Sequence, residues 1–295
     1  MRSKRYWMVR KRRRAMHQTR HPRHKDFHRL IRREKESMLR TTGLGSALGK
    51  GLPKLESIDW IKREERWKYN REKLEERFPG IFTSKFFGDL DWLGGRREGG
   101  VRRFDIGKND PFVSFSGHNW RSLAIKKFYN HSRSSPESQA KAIHGIHFLA
   151  DFWTKQGKLP YSERRPCQPL IKIPEVITYK YPFLVMRNLS GPAYTKVTDL
   201  PYELREEVYQ VVRKFGVLLV KIEQRWVDHF KENAKVAYPN PDFNPTNVIV
   251  QVTSDGKLWA IWIIDQSPVE GRPTYENARQ KGSFNIMADR GAWGL

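Results

Sequence analysis

Cysteine is nearly absent: Cys167 is the only one in 295 residues. That excludes an internal disulfide framework and any cysteine-based metal cluster, and it fits a reducing, intracellular compartment. Long apolar runs are missing as well. The longest, such as Trp259 to Ile264, are strand-sized and far short of the ~20 residues that span a bilayer, so no transmembrane segment is expected. A secretory leader is not expected either, because the basic start runs into more basic residues rather than an apolar stretch. Acid is scarce where base is dense. The first forty residues hold sixteen Lys or Arg against Asp26, Glu34 and Glu36, an excess of +13 within a net charge of +24. Such a segment is expected to be extended unless a polyanion neutralises it.

What is present demands a core. With 38% hydrophobic and 13% aromatic residues, part of the chain must be globular, and its length suits one catalytic domain plus an extension. The basic arm, residues 1–40, scatters Trp7, His17, Phe27 and Leu30 among its arginines. That mixture suits RNA, through phosphate contacts and stacking. A solvated tail and an organellar transit peptide both stay open, the latter because the first twenty-five residues contain no acid. A Gly-rich linker follows over 41–56. It is not a phosphate loop of the GxxxxGK[ST] type, since position 44 is Leu and Lys50 is followed by Gly51. The segment 57–80 reads as a charged surface helix, with Glu64 and Lys68 spaced for i,i+4 pairing and Pro79-Gly80 as its stop.

From Ile81 onward the pattern becomes globular. Trp120 to Tyr129 alternates as a strand. Ser135 and Pro136 start a helix with Ile143, Ile146, Ala150 and Trp153 at helical spacing. Tyr181 to Met186 reads as a buried strand. A long amphipathic helix then carries Leu204, Val208, Val211, Phe215, Leu218, Ile222 and Trp226 on one face. Two apolar strands flank Ser254-Asp255-Gly256-Lys257, a hairpin signal. No repeat at solenoid periods is visible.

The segment from Pro239 to Gln266, PNPDFNPTNVIVQVTSDGKLWAIWIIDQ, carries the chemistry. Phosphoryl transfer needs a carboxylate to orient or accept the acceptor hydroxyl, and oxygen ligands for magnesium. Asp242 and Asn247, five residues apart on a proline-stiffened loop, supply a carboxylate and an amide. Asp265, ending the second apolar strand, can return beside them. The same residues could be only a turn-rich connection before a hairpin.

This loop and hairpin resemble the catalytic loop and metal-binding strand of the protein-kinase-like superfamily, above all its aminoglycoside-phosphotransferase and small-molecule kinase branch. The resemblance spans roughly Phe104 to Gln266. It implies an α+β, protein-kinase-like two-lobe fold with a reduced C-lobe, preceded by the basic, extended arm: an N-lobe over 81–187 and a C-lobe over 188–295. It implies Asp242 as the base or orienter and Asn247 and Asp265 as ligands of Mg2+. Lys126, in Leu123-Ala124-Ile125-Lys126, would grip the ATP phosphates, and Phe183, Val185, Met186 and Arg187 would line the nucleotide through backbone groups. Asn240 and Pro241 replace the usual residues before the catalytic Asp, and Gln266-Ser267 replaces Phe-Gly. No GxGxxG precedes Lys126; Gly94-Gly95 with Gly99-Gly100, or the span from Gly107 to Gly117, are the candidates. Glu137 is the acid available to pair with Lys126, or else a charge favoured at a helix N-terminus. With thirty residues after Asp265, the expectation is a minimal kinase fold.

Histidines 17, 21, 24 and 28 sit in too basic a setting to hold a cation, and His144 and His147 read as surface or packing residues. The functional expectation is an ATP- and Mg2+-dependent phosphotransferase acting on a hydroxyl. The alternative is a catalytically degenerate kinase-fold protein that binds RNA through its arm, as a ribonucleoprotein component or assembly factor.

Overall fold

The computed structural model describes residues 58–95, 99–107, 109–130, 134–162, 165, 167–220, 224–235, 238–241, 243–269 and 290–295. These lie in the unit Leu55–Leu295; the basic arm and the Gly-rich linker fall outside the described residues. The elements are α1 (Trp60–Arg77), α2 (Ser84–Gly88), β1 (Asp91–Gly94), β2 (Gly99–Asp105), β3 (Phe112–Val113), β4 (Asn119–Trp120), β5 (Ser122–Phe128), α3 (Pro136–Lys155), β6 (Ile171–Lys172), β7 (Val176–Lys180) and β8 (Phe183–Arg187). They continue as β9 (Thr195–Lys196), α4 (Tyr202–Val220), α5 (Gln224–Asn233), β10 (Tyr238–Pro241), β11 (Val248–Val252), β12 (Leu258–Ile263) and β13 (Gln266–Val269). The architecture is α+β, as expected.

One sheet has the order β1-β2-β5-β8-β7 and is antiparallel throughout. Because side chains alternate across a strand, Leu123, Ile125, Phe183 and Val185 fall on one face, where they join Ile177, Phe87, Phe112 and Leu74 in an apolar core. Ala124, Lys126, Leu184 and Met186 take the other face.

The edge strand β7 is covered by α1, one way a fold removes an open ladder. The helix starts at Asp59, whose carboxylate accepts from the Lys62 N–H at 2.8 Å. It buries Trp60, Trp67, Asn70 and Leu74 as a single stripe. A ladder irregularity between Val176 and Thr178 is met by side chains: Trp67 Nε1 donates to Val176 O at 3.2 Å and Asn70 Nδ2 to Ile177 O at 2.8 Å. The expected surface helix is therefore a docked one. Glu64 accordingly pairs with Lys141 of α3 at 2.8 Å.

The second sheet has the order β6-β12-β11-β9, with β6 parallel to β12. The β11–β12 hairpin turns at Gly256, whose φ of 81° suits glycine. The long helix of the sequence reading is α4 and then α5, with residues 221–223 between them outside the described set. The stripe of α4 is Val208, Val212, Phe215 and Leu219, turned slightly from the expected one. Phe215 meets Trp153 of α3 and Phe243 edge-on, with centroids at 5.9 and 6.1 Å. Among the described residues, no helix is long and apolar enough to cross a membrane.

Candidate active site

Lys126 sits on β5, the middle strand of the first sheet, and is 8% exposed. Its ammonium lies 4.8 Å from the Phe128 ring centroid, two residues along the same face, and 3.8 Å from Asp265 Oδ1. The helix after this strand begins as its sequence dictates: Ser135 caps it by accepting from the Ser138 N–H at 3.0 Å, and Pro136 occupies the first turn. One turn in, Gln139 is 2% exposed and its Nε2 donates to the same Asp265 Oδ1 at 3.2 Å. An ammonium and an amide donor thus face one carboxylate oxygen.

Asp265 owes its place to the hairpin. At the end of β12 the Ile264 N–H donates to Asn247 O at 2.9 Å, which sets the backbone of Asn247 beside the residue preceding Asp265. Asn247 closes a short 3-10 turn, Pro245–Asn247, by donating its N–H to Asn244 O at 2.8 Å. The Asn244 side chain accepts from the Thr246 N–H at 3.0 Å and its hydroxyl at 2.8 Å. The loop is fixed by its own polar residues. Asp242 lies outside the described residues; its predecessor Pro241 pairs in register with Gln266, the residue after Asp265, and its successor Phe243 is buried.

Lys126 and Asp265 are therefore brought together, and Asn247 joins them through its backbone. Phe183 and Val185 turn their side chains into the apolar core, away from the Lys126 face. Since β8 lies between β5 and β7, Phe183 to Met186 are paired on both sides, and the Arg187 N–H donates to Glu175 O at 2.9 Å. Met186 lies on the Lys126 face, and Arg187 stacks over Trp262 at 4.7 Å. Glu137 pairs with Lys141 at 2.8 Å rather than with Lys126. Burial pushes the Lys141 ammonium down, yet hydrogen bonds to Glu137 and Glu64 outweigh it and hold its pKa above the ordinary value.

Of the glycine candidates, Gly94-Gly95 and Gly99-Gly100 flank the β1–β2 connection. A Cβ on Gly95 would meet Gly99 O at 2.2 Å, and one on Gly99 would meet Lys127 O of β5 at the same distance, so close packing within the sheet already requires both. His144 packs edge-on between Trp60 and Trp67, with centroids at 5.4 and 6.4 Å; this is a packing role. Among the described residues no group of three or more His, Cys, Asp or Glu could hold a metal. Gln139 is the site residue that sequence reasoning missed. Its only signal is its position, one turn into the helix that follows the Lys126 strand.

No known protein family matches the chain, and no curated protein resembles it in sequence. Among solved structures it is similar to the GDP and kanamycin complex of APH(2")-IIIa, at 11% identity over 76% of this chain and 84% of that one, with a TM-score of 0.34. It is also similar to the ADP-bound aminoglycoside phosphotransferase APH(2'')-Ib, at 13% identity over 76% and 85%, with a TM-score of 0.33. The streptomycin–ATP complex of APH(2")-IIa gives 12% identity over 65% and 73%, with a TM-score of 0.28. A likeness this loose carries no information on which residues act.

Proposed function

We propose that the protein is an ATP- and Mg2+-dependent phosphotransferase of kinase-like fold that acts on a hydroxyl acceptor. The observation that carries this reading is the convergence of Lys126, on a strand, and Gln139, on the helix after it, on one oxygen of Asp265, a hairpin end 126 residues beyond Gln139. A buried cation beside a carboxylate that stays partly open to solvent is what a site for a phosphate and its counter-ion requires. The donor set suits magnesium, which takes one or two carboxylates and completes its shell with phosphates and water. One carboxylate, Asp265, and one amide, Asn247, provide that, so the lack of a three-acid cluster among the described residues is no obstacle. When bound, the ion would neutralise charge on the phosphates as the bond to the leaving oxygen breaks.

In this reading Lys126 holds the phosphates, Gln139 orients Asp265, and Asp242 orients the acceptor hydroxyl and takes its proton. Phe183, Val185, Met186 and Arg187, on the strand paired with that of Lys126, line the nucleotide in this reading. The RNA-binding alternative rests on residues 1–40, and nothing in the described residues favours it over the enzyme.

The test is nucleotide binding with and without Mg2+, on the wild type and on Asp265→Ala. The expected result is ATP binding that magnesium strengthens, with that strengthening reduced by roughly a hundredfold in the variant. Failure of the wild type to bind ATP at millimolar nucleotide would sink the reading.

A further inference from the structure

The register of the second sheet assembles a row that no single segment contains. Trp262 pairs with Lys172 on one side and with Ile249 on the other, and Ile249 pairs with Lys196. Residues directly opposite on paired strands share a face, so Lys172, Trp262, Ile249 and Lys196 cross the sheet in line. The indole is fixed by its Nε1 donating to Gln251 Oε1 at 2.8 Å.

Two cations lie against this ring. The Arg187 guanidinium, arriving from β8, is 4.7 Å from its centroid, and the Lys172 ammonium is 5.6 Å from it. Arg187 Nη2 donates to Tyr194 OH at 3.5 Å, and Lys172 Nζ donates to Gln168 Oε1 at 3.0 Å. Both side chains are half-buried. Among the described residues no carboxylate pairs with either, nor with the nearby Arg165. Burial first, then repulsion from Arg187 and Arg165, lowers the Lys172 pKa to about 8. Cation–π contact offsets part of that cost and leaves the like charges uncompensated. An excess of base over acid in the chain explains unpaired cations on the open surface, where water screens them. It does not explain two half-buried ones set against the same buried ring.

We propose that Lys172 and Arg187, framed by Trp262, form a binding site for a phosphate group, one that does not use the Lys126–Asp265 pair. An anion there receives a bidentate fork from the guanidinium and a point charge from the ammonium, and it relieves the repulsion between them. The neutral acceptors Gln168 and Tyr194 keep the two side chains in place until it arrives.

The experiment uses the full chain at pH 7 with three probes: inorganic phosphate, ADP, and a single-stranded RNA oligonucleotide. Lys172→Met and Arg187→Met should each weaken inorganic phosphate binding by about tenfold or more, with thermal midpoints close to that of the wild type. Lys172→Arg should retain binding, and Lys196→Met, at the far end of the row, should change it less than twofold. The Lys172 side-chain NMR signal should titrate with a midpoint that phosphate moves upward. Tighter binding of ADP than of phosphate, weakened by Lys172→Met and Arg187→Met and not by Asp265→Ala, would identify a nucleotide as the source of the group; tighter binding of RNA, weakened by the same two variants and competed by phosphate, would identify a phosphodiester backbone. Wild-type phosphate affinity in both methionine variants, or a Lys172 midpoint that phosphate does not move, would overturn the proposal.

Discussion

Where α3 meets α1, Lys141 is buried, its side chain 4% exposed, and its ammonium lies 2.8 Å from both Glu64 and Glu137. On the face of the second sheet, Lys172 is half-buried among Arg187, Arg165 and Trp262, with a glutamine as its hydrogen-bond acceptor. Burial opposes the charge in both places. At the first it is outweighed, and the lysine is held above its ordinary pKa; at the second repulsion adds to it, and the lysine falls to about 8. The chain has 32 acids for 56 bases, so where its acids go is informative. Two of them fasten a helix, and among the described residues none pairs with the Lys172 row. A compensated buried charge reads as architecture, and an uncompensated one as a place kept for something else to bind.

The largest way to break that contrast is to strip Lys141 of its partners. The double variant Glu64→Gln, Glu137→Gln leaves a buried ammonium with amides only. Breaking a fully buried pair costs about 3–5 kcal/mol, but these carboxylates are about half exposed, so the expected loss is about 2 kcal/mol in urea-induced unfolding. Each single variant should cost less than half of that, because the remaining acid takes over. A double variant as stable as the wild type would make Lys141 an ordinary surface amine and remove the comparison.

A smaller effect sharpens the third buried lysine, Lys126, whose partner Asp265 is shared with Gln139. Gln139→Met keeps the volume and removes the hydrogen bond. If Gln139 orients the carboxylate, magnesium affinity in the presence of ADP should fall by about tenfold, the usual scale for a residue that supports a metal ligand, while the thermal midpoint stays near that of the wild type. A Met variant with wild-type magnesium affinity would reduce Gln139 to packing. Because Asp265→Ala tests the site itself, failure of Gln139's role and failure of the site are separable.

The sequence announces the parts of this molecule whose causes are local. Ser135-Pro136 starts α3 because a hydroxyl can cap and a proline has no N–H to lose. Gly256 marks the β11–β12 turn because its φ is positive. The Lys126 strand and the Asp265 hairpin are legible by alternation and by turn chemistry. What is not legible depends on partners remote in sequence. The helix α1 looks like a solvated one because its interior stripe is sparse and includes Asn70, whose burial is tolerable only through bonds to Ile177 O and the Phe115 N–H. Glu64 is spaced for Lys68 and instead meets Lys141 for the same reason. Glu137 is the acid a reader expects near Lys126, and it is drawn off by Lys141, while an uncharged amide takes the place beside Asp265. The row through Trp262 exists only once strand order is known, since β6, β12, β11 and β9 come from four separated stretches of chain.

The smallest expected effect isolates Lys172 by pH. An unfolded chain releases this proton near 10.5 and the folded chain near 8. Between those values the unfolded state binds more protons, so stability rises with pH across the window and falls as pH drops through it; below about 8 both states are protonated and the contribution is constant. A shift of this size corresponds in full to about 3.4 kcal/mol, but water reaches half of the group, which reduces the expectation to about 1 kcal/mol. Lys172→Met has no proton to exchange there. Denaturation measured from pH 7.5 to 10.5 should therefore show the wild type gaining about 1 kcal/mol relative to the variant as pH rises. Saturating phosphate should flatten that gain, because an anion against the ammonium restores its proton affinity. Parallel curves without phosphate would mean that Lys172 is solvated like any surface lysine, and that its difference from Lys141 is one of position and not of charge.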